Sequence, residues 1–200
     1  ATKKHASSVV IIDLLSAFAF FFVLLAALLP LYLSSYSLVG EKTEKSLEPL
    51  LATPMSDSEI LVGKYLASLI PVIIALYIGM TLFIVLSDLL TYKFIGYYFY
   101  PNQTSDVLMF LDAPLAMLYG IGFGTLASAR ASGVQTSYQL GGASLIPFLI
   151  LYVLGEAQIV DLANISNILY IGAALFIAFI LVFYVGKKSF NREKILTSWR

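Results

Sequence analysis

The sequence predicts an all-α, polytopic membrane protein with about five transmembrane helices, the N-terminus outside and the C-terminus inside. Three observations carry that prediction. Of 200 residues, 60% are hydrophobic and only 12% are charged, whereas soluble domains average about 25% charged. The mean hydropathy is +0.89. The apolar residues also come in runs long enough to cross a bilayer, which takes about 20 residues per helix.

The runs define the elements in order. The first span covers residues 9–39, with Asp13 near its outer end and Pro30 as an expected kink. The second covers 57–90 and contains Pro71. It leads into Tyr92, Phe94, Tyr97, Tyr98, Phe99 and Tyr100, the aromatic composition of a headgroup layer. A turn-rich loop follows, then a third span at 107–129. In that span Gly120 and Gly124 have the four-residue spacing that lets two helices approach closely, within one chain or between two. Residues 130–139 read as a short polar turn. The fourth span, 140–154, is short, opened by Gly141 and Gly142 and interrupted by Pro147, which leaves open an incomplete or re-entrant segment. The fifth is 168–185, and residues 186–200 form a tail. One transmembrane domain accounts for residues 1–200.

Between the first two spans lies a polar interlude, residues 40–64. Glu41 and Lys45 stand in the i, i+4 order that supports a helix. Leu47, Leu50 and Leu51 give that helix an apolar face, and Pro54 ends it. Ser56 and Glu59 have the spacing of a capping box for the next span. The pattern Glu41-Lys42, Leu47-Glu48, Leu50-Leu51, Thr53-Pro54, Ser56, Glu59-Ile60 and Gly63-Lys64 resembles the cytoplasmic loop of ABC-2-type permeases, the membrane subunits of one class of ABC exporters.

The resemblance implies a coupling segment at residues 41–56 that docks on a separate ABC ATPase subunit. Its contact residues would be Glu41, Lys42, Glu44, Lys45, Leu47, Glu48, Leu50, Leu51, Thr53 and Pro54. It also implies a second permease subunit, identical or not, and a place in the cell membrane among lipid. The family pattern has six spans, so the chain is expected to lack the first helix and the large external segment after it. A non-transporting scaffold or accessory subunit of a larger membrane complex is the alternative reading.

Other chemistries find little support. The 12 basic and 12 acidic residues balance, leaving no nucleic-acid footprint, and there is no cysteine. The phosphate-cradling G-x-x-x-x-G-K-[ST] loop of an ATPase is missing, and His5 is the single histidine. No catalytic residue, cofactor or metal ligand is therefore assigned, and enzymatic activity is expected on the partner. Asp13, Asp88, Asp112, Glu156 and Asp161 fall near outer span ends or in outer loops, where water is expected to reach them. Asp112 is the deepest and the candidate pathway residue. Tyr77, Met80, Met117 and Tyr119 read as packing residues that are also candidates to line a path.

Orientation follows from the basic residues. Lys42, Lys45, Lys64, Arg130, Lys187, Lys188, Arg192, Lys194 and Arg200 fall on one side, against Lys3, Lys4 and Lys93 on the other. The richer side is expected to be cytoplasmic. Because the chain has no cysteine, Asn102→Cys and Lys187→Cys are clean reporters. In sealed cells an impermeant thiol reagent should label position 102 and not 187; the reverse pattern would invert the topology.

Overall fold

The computed structural model describes residues 2–44 and 54–189. The described chain is helical, without strands: α1 (Thr2–Thr43), α2 (Asp57–Ile95), α3 (Gln103–Val107), a π-helical turn (Leu108–Asp112), α4 (Ala113–Arg130), α5 (Val134–Ala143), α6 (Ile146–Glu156) and α7 (Ile165–Ser189). From α3 through the π turn to α4 the helix is continuous and counts as one span, Gln103–Arg130. At about 1.5 Å per residue, the 42 residues of α1 and the 39 of α2 each exceed the roughly 30 Å hydrocarbon layer. α1 runs unbroken through Pro30, whose carbonyl accepts the Ser34 hydroxyl at 2.7 Å.

Contacts fix the direction of every helix. α1 and α4 are parallel: Ala27 meets Gly120, Leu31 and Ser34 meet Gly124, and the Val39 N–H donates to Ser128 Oγ at 2.9 Å. A Cβ at Gly120 would fall on the Ala27 carbonyl, and one at Gly124 on Ser34 Oγ and the Leu31 carbonyl. The glycines therefore set a separation that no side chain permits, and both backbones belong to one chain. α2 is antiparallel to α1, with Lys64 opposite Glu41 at one end and the Phe83 ring 5.2 Å from Phe22 farther along. α7 is parallel to α4, since Gly172 packs on Asp112 and Val182 on Gly122.

The segment after Arg130 differs from its sequence reading. Residues expected as a polar turn are helical from Val134, and the break falls at Ser144-Leu145, with Pro147 in the first turn of α6. Proline is tolerated there because the N–H it lacks has no helical acceptor. α5 and α6 meet at a 42° bend. The pair crosses the bundle rather than turning back: Ser137 Oγ donates to the Ser35 carbonyl at 2.7 Å, Tyr152 packs on Phe21, and Gln158 reaches Asp13 at 3.5 Å. These contacts run in order along α1 from one end to the other. With α5–α6 as a broken span, five spans alternate in direction.

Burial separates the spans into two kinds. In the most apolar stretches of α1 and of Gln103–Arg130, 56% of residues are buried, against 17% in α2 and in α7. Along α2, Leu66, Ile70, Ile74, Ile78 and Leu82 form an exposed stripe at four-residue spacing. Ser34, Ser35, Ser128 and Ser137 are buried. Large apolar residues outside and small polar ones between helices suit a lipid solvent, in which close backbone packing and interhelical hydrogen bonds hold helices together.

Candidate functional site: the loop end of the α1–α2 hairpin and the buried acids

At the loop end of the bundle, the last turns of α1 and the first turns of α2 are joined by polar contacts. Lys64 Nζ lies 2.5 Å from Glu41 Oε2 and donates to Ser37 Oγ at 3.1 Å. The lysine side chain is only 10% exposed and the glutamate 31%, so the pair is largely shielded from solvent screening. Tyr36 folds along the helix and donates to Glu44 Oε1 at 2.5 Å. Its ring fills the space a Cβ at Gly40 would take. The Thr43 hydroxyl and the Glu44 N–H both donate to the Gly40 carbonyl, at 2.8 and 2.9 Å, and close the helix end.

Beyond the loop, α2 begins with the capping box read from the sequence. The Glu59 N–H donates to Ser56 Oγ at 3.3 Å, and the Ser56 N–H and hydroxyl donate to Glu59 Oε2 at 2.7 and 2.8 Å. The backbone donor first, then the hydroxyl, hold the Glu59 carboxyl below the usual carboxylate range. Pro54 is exposed just before the cap. Lys42 is in α1, while Lys45, Leu47, Glu48, Leu50, Leu51 and Thr53 lie outside the described residues.

The opposite end carries the acids. Asp88, 6% exposed, accepts the Phe99 and Tyr100 N–H groups at 3.0 and 3.1 Å. It thereby holds the loop after α2, whose first residue, Gly96, caps the helix at φ 91. Tyr100 donates to the Leu15 carbonyl at 2.9 Å, tying this loop to α1. Burial, with Asp88 close by, pushes its phenol above the usual range, so it stays a donor. Asn102 caps α3 through the Ser105 N–H at 2.9 Å, and Thr104 donates to the Ala163 carbonyl at 3.0 Å. The loops at this end are thus stitched together by side chains that satisfy backbone groups.

Asp112 departs from its sequence reading. The expectation that water reaches all five acids fails at Asp88, which is buried against the backbone N–H groups it accepts, and fails further at Asp112, which has no exposed surface and no hydrogen-bond partner for either carboxylate oxygen. The π turn brings it inward against α7, and a Cβ at position 172 would collide with its Oδ1, so glycine leaves the room. The α3–π–α4 span is tied to α2 by Tyr77, which donates to the Met109 carbonyl at 2.7 Å. Met80 and Met117 are buried in the apolar core, and Tyr119 donates to the Ser144 carbonyl at 3.2 Å. All four side chains serve in packing. Among the described residues no cluster of three or more His, Asp or Glu could hold a metal.

Four long apolar helices with the bent α5–α6 pair, a lipid-suited surface of leucine and isoleucine, and an apolar core interleaved with small polar residues define a multi-pass integral membrane protein. The chain matches the family described as ABC-2 family transporter protein over residues 2–180, and it belongs to that family. It is a permease, the membrane component of an ABC-type transporter. Neither a curated protein nor a solved structure matches the chain.

The ion pair and the buried acids were missed from sequence for different reasons. From sequence Glu41 and Lys64 read as charges of the polar interlude, although opposite signs at the two mouths of a helical hairpin signal a cross-helix pair. The inward turn of Asp112 depends on one extra residue in a helical turn, which no spacing rule reveals.

Proposed function

We propose that this permease works as an exporter subunit in the cell membrane, driven by a separate ATPase that docks on residues 41–56 from the cytoplasm. The observation that carries the reading is the family match over residues 2–180, joined to the loop pattern at the end of the α1–α2 hairpin. Basic residues concentrate at that end and in the tail, which supports a cytoplasmic loop. A second permease subunit would complete the passage, and residues 1–200 act as one transmembrane domain. The helical continuation of α1 up to Thr43 and the capped start of α2 support a stiff stem for the loop.

In this reading Leu47, Leu50 and Leu51 seat in a groove on the ATPase, as an amphipathic helix does. Lys42, Lys45 and Glu48 orient the docking from its rim, with Thr53 and Pro54 closing the segment. Central desolvated anchors dominate such interfaces, so Leu50→Asp should weaken ATPase association by about 2 kcal/mol or more. The protein should still insert and fold. Lys42→Ala should cost at most about 1 kcal/mol, in a salt-sensitive way. Co-purification of the complex at graded salt measures both. Undiminished ATPase binding by Leu50→Asp would remove the docking role.

Asp112 marks the passage. A buried, unpartnered carboxyl in a span is expensive and is functional by default. Asp112→Val, close in volume, should raise stability by roughly 1–3 kcal/mol by removing an unsatisfied polar group. It should lower ATP turnover by the assembled complex. Thermal melting and hydrolysis rates test this together: a destabilised variant, or a stabilised one with unchanged turnover, would return Asp112 to a packing role.

A further inference from the structure

The geometry points to Glu41 and Lys64 as a clamp that makes α1 and α2 move as one lever when the loop between them is pushed. Neither residue contacts the ATPase in this scheme, so both are positioning residues. The inference deepens the proposed function and rests on the loop being the point where force enters.

Three observations lead there. First, Glu41 lies three residues before the last described residue of α1's side of the loop, and Lys64 lies in the second turn of α2. Their contact therefore closes the hairpin directly beneath its loop. Second, the lysine side chain is 10% exposed and also held by Ser37 Oγ at 3.1 Å, so the pair is fixed in direction as well as charge. A shielded, hydrogen-bonded pair resists separation far more than a solvated one, because parting it leaves a charge without a partner. Third, Glu44 is engaged by Tyr36 and stiffens the turn just above the clamp.

Of the acids that the loop resemblance assigns to the partner, Glu41 is thus turned to Lys64 and Glu44 is tied to Tyr36 of its own helix. They hold the stem, and the docking face is left to the leucines with Lys42, Lys45 and Glu48 at its rim. Without the clamp, a push on the loop would splay the helix ends instead of shifting the hairpin against α4.

Spin labels measure this directly, since the chain has no cysteine. Thr43→Cys and Val62→Cys, both exposed, report the separation of the two helix ends; Thr43→Cys with Ser132→Cys reports the hairpin against the end of α4. The full chain, co-purified with its ATPase and placed in lipid nanodiscs, is measured without nucleotide and trapped with ATP and vanadate. In the otherwise unaltered protein the 43–62 distance should stay single and narrow in both states, while the 43–132 distance changes.

Glu41→Gln and Lys64→Gln should broaden the 43–62 distribution about twofold or more without nucleotide, and trapping should shift it. Trapping-dependent change at 43–132 should be largely lost. ATPase co-purification and melting temperature serve as controls for assembly and folding. The exchanged pair, Glu41→Lys with Lys64→Glu, should restore both distances.

Narrow 43–62 distances in both single variants, or a 43–62 shift on trapping in the unaltered protein, would overturn the clamp. So would single variants that broaden at 43–62 yet keep the full 43–132 response. If no ATPase co-purifies and no distance responds to nucleotide, the proposed function fails instead. The nucleotide-free 43–62 widths then still decide whether the ion pair joins the helices.

Discussion

The rest of the structure depends on how closely α1 and α4 approach. Gly120 and Gly124 lie against the backbone of Ala27 and Leu31, at a distance where even a methyl group would strike a carbonyl oxygen. In lipid, apolar surface gains nothing by leaving its solvent, so association rests on dispersion contacts and on hydrogen bonds between helices. Both grow as backbones close in. The approach brings Ser128 to the Val39 N–H and, one helix further round, Ser137 to the Ser35 carbonyl. The N–H and carbonyl of what is normally one helical i→i−4 pair each find a partner on another helix. That joins α4 and α5 to the same turn of α1.

From that centre the remaining spans take their places. α5–α6 follows α1 along its length, and its break at Ser144-Leu145 is satisfied locally: Ser144 Oγ donates to the Gly141 carbonyl, and the Ser144 carbonyl accepts from Tyr119. Irregular backbone inside a bundle is tolerated when protein covers it in this way. α2 and α7 lie on the outside and keep most of their leucine, isoleucine and phenylalanine for lipid. α2 is held by Lys64 at one end, by Tyr77, Met80 and Phe83 along its inner face, and by the loop that Asp88 organises at the other end.

How much of this the sequence disclosed follows from the kind of signal involved. Apolar length marks spans directly, so the helical class and the long apolar helices were legible, as was the Ser56–Glu59 cap. The four-residue glycine spacing pointed to a close contact, but not to Ala27 and Leu31 of the same chain. Residues 134–139 misled because Gln135, Thr136 and Ser137 look like loop composition; Ser137, however, is buried and donates to the Ser35 carbonyl, while Gln135 and Thr136 stay exposed in the first turn of the helix. Asp112 misled for a related reason. Counting residues from a span end gives depth, whereas the face presented depends on helical phase, which the π turn shifts. The Glu41–Lys64 pair is a tertiary contact between residues 23 apart. Helical periodicity describes neighbours three and four apart and is silent on it.

The central claim is that α1 and α4 of a single chain form the packed parallel pair on which the bundle is built. Disulfide trapping tests it most directly, in a background that contains no cysteine. Val39→Cys and Ser128→Cys, whose backbone and side chain meet at 2.9 Å, should cross-link on mild oxidation in native membranes. The product should be a cross-link within one chain: it should migrate as a monomer, and a protease cut in the loop between α2 and α3 should leave its two pieces joined until reduction. A dimer formed through these positions, or free thiols after oxidation, would contradict the parallel α1–α4 pair.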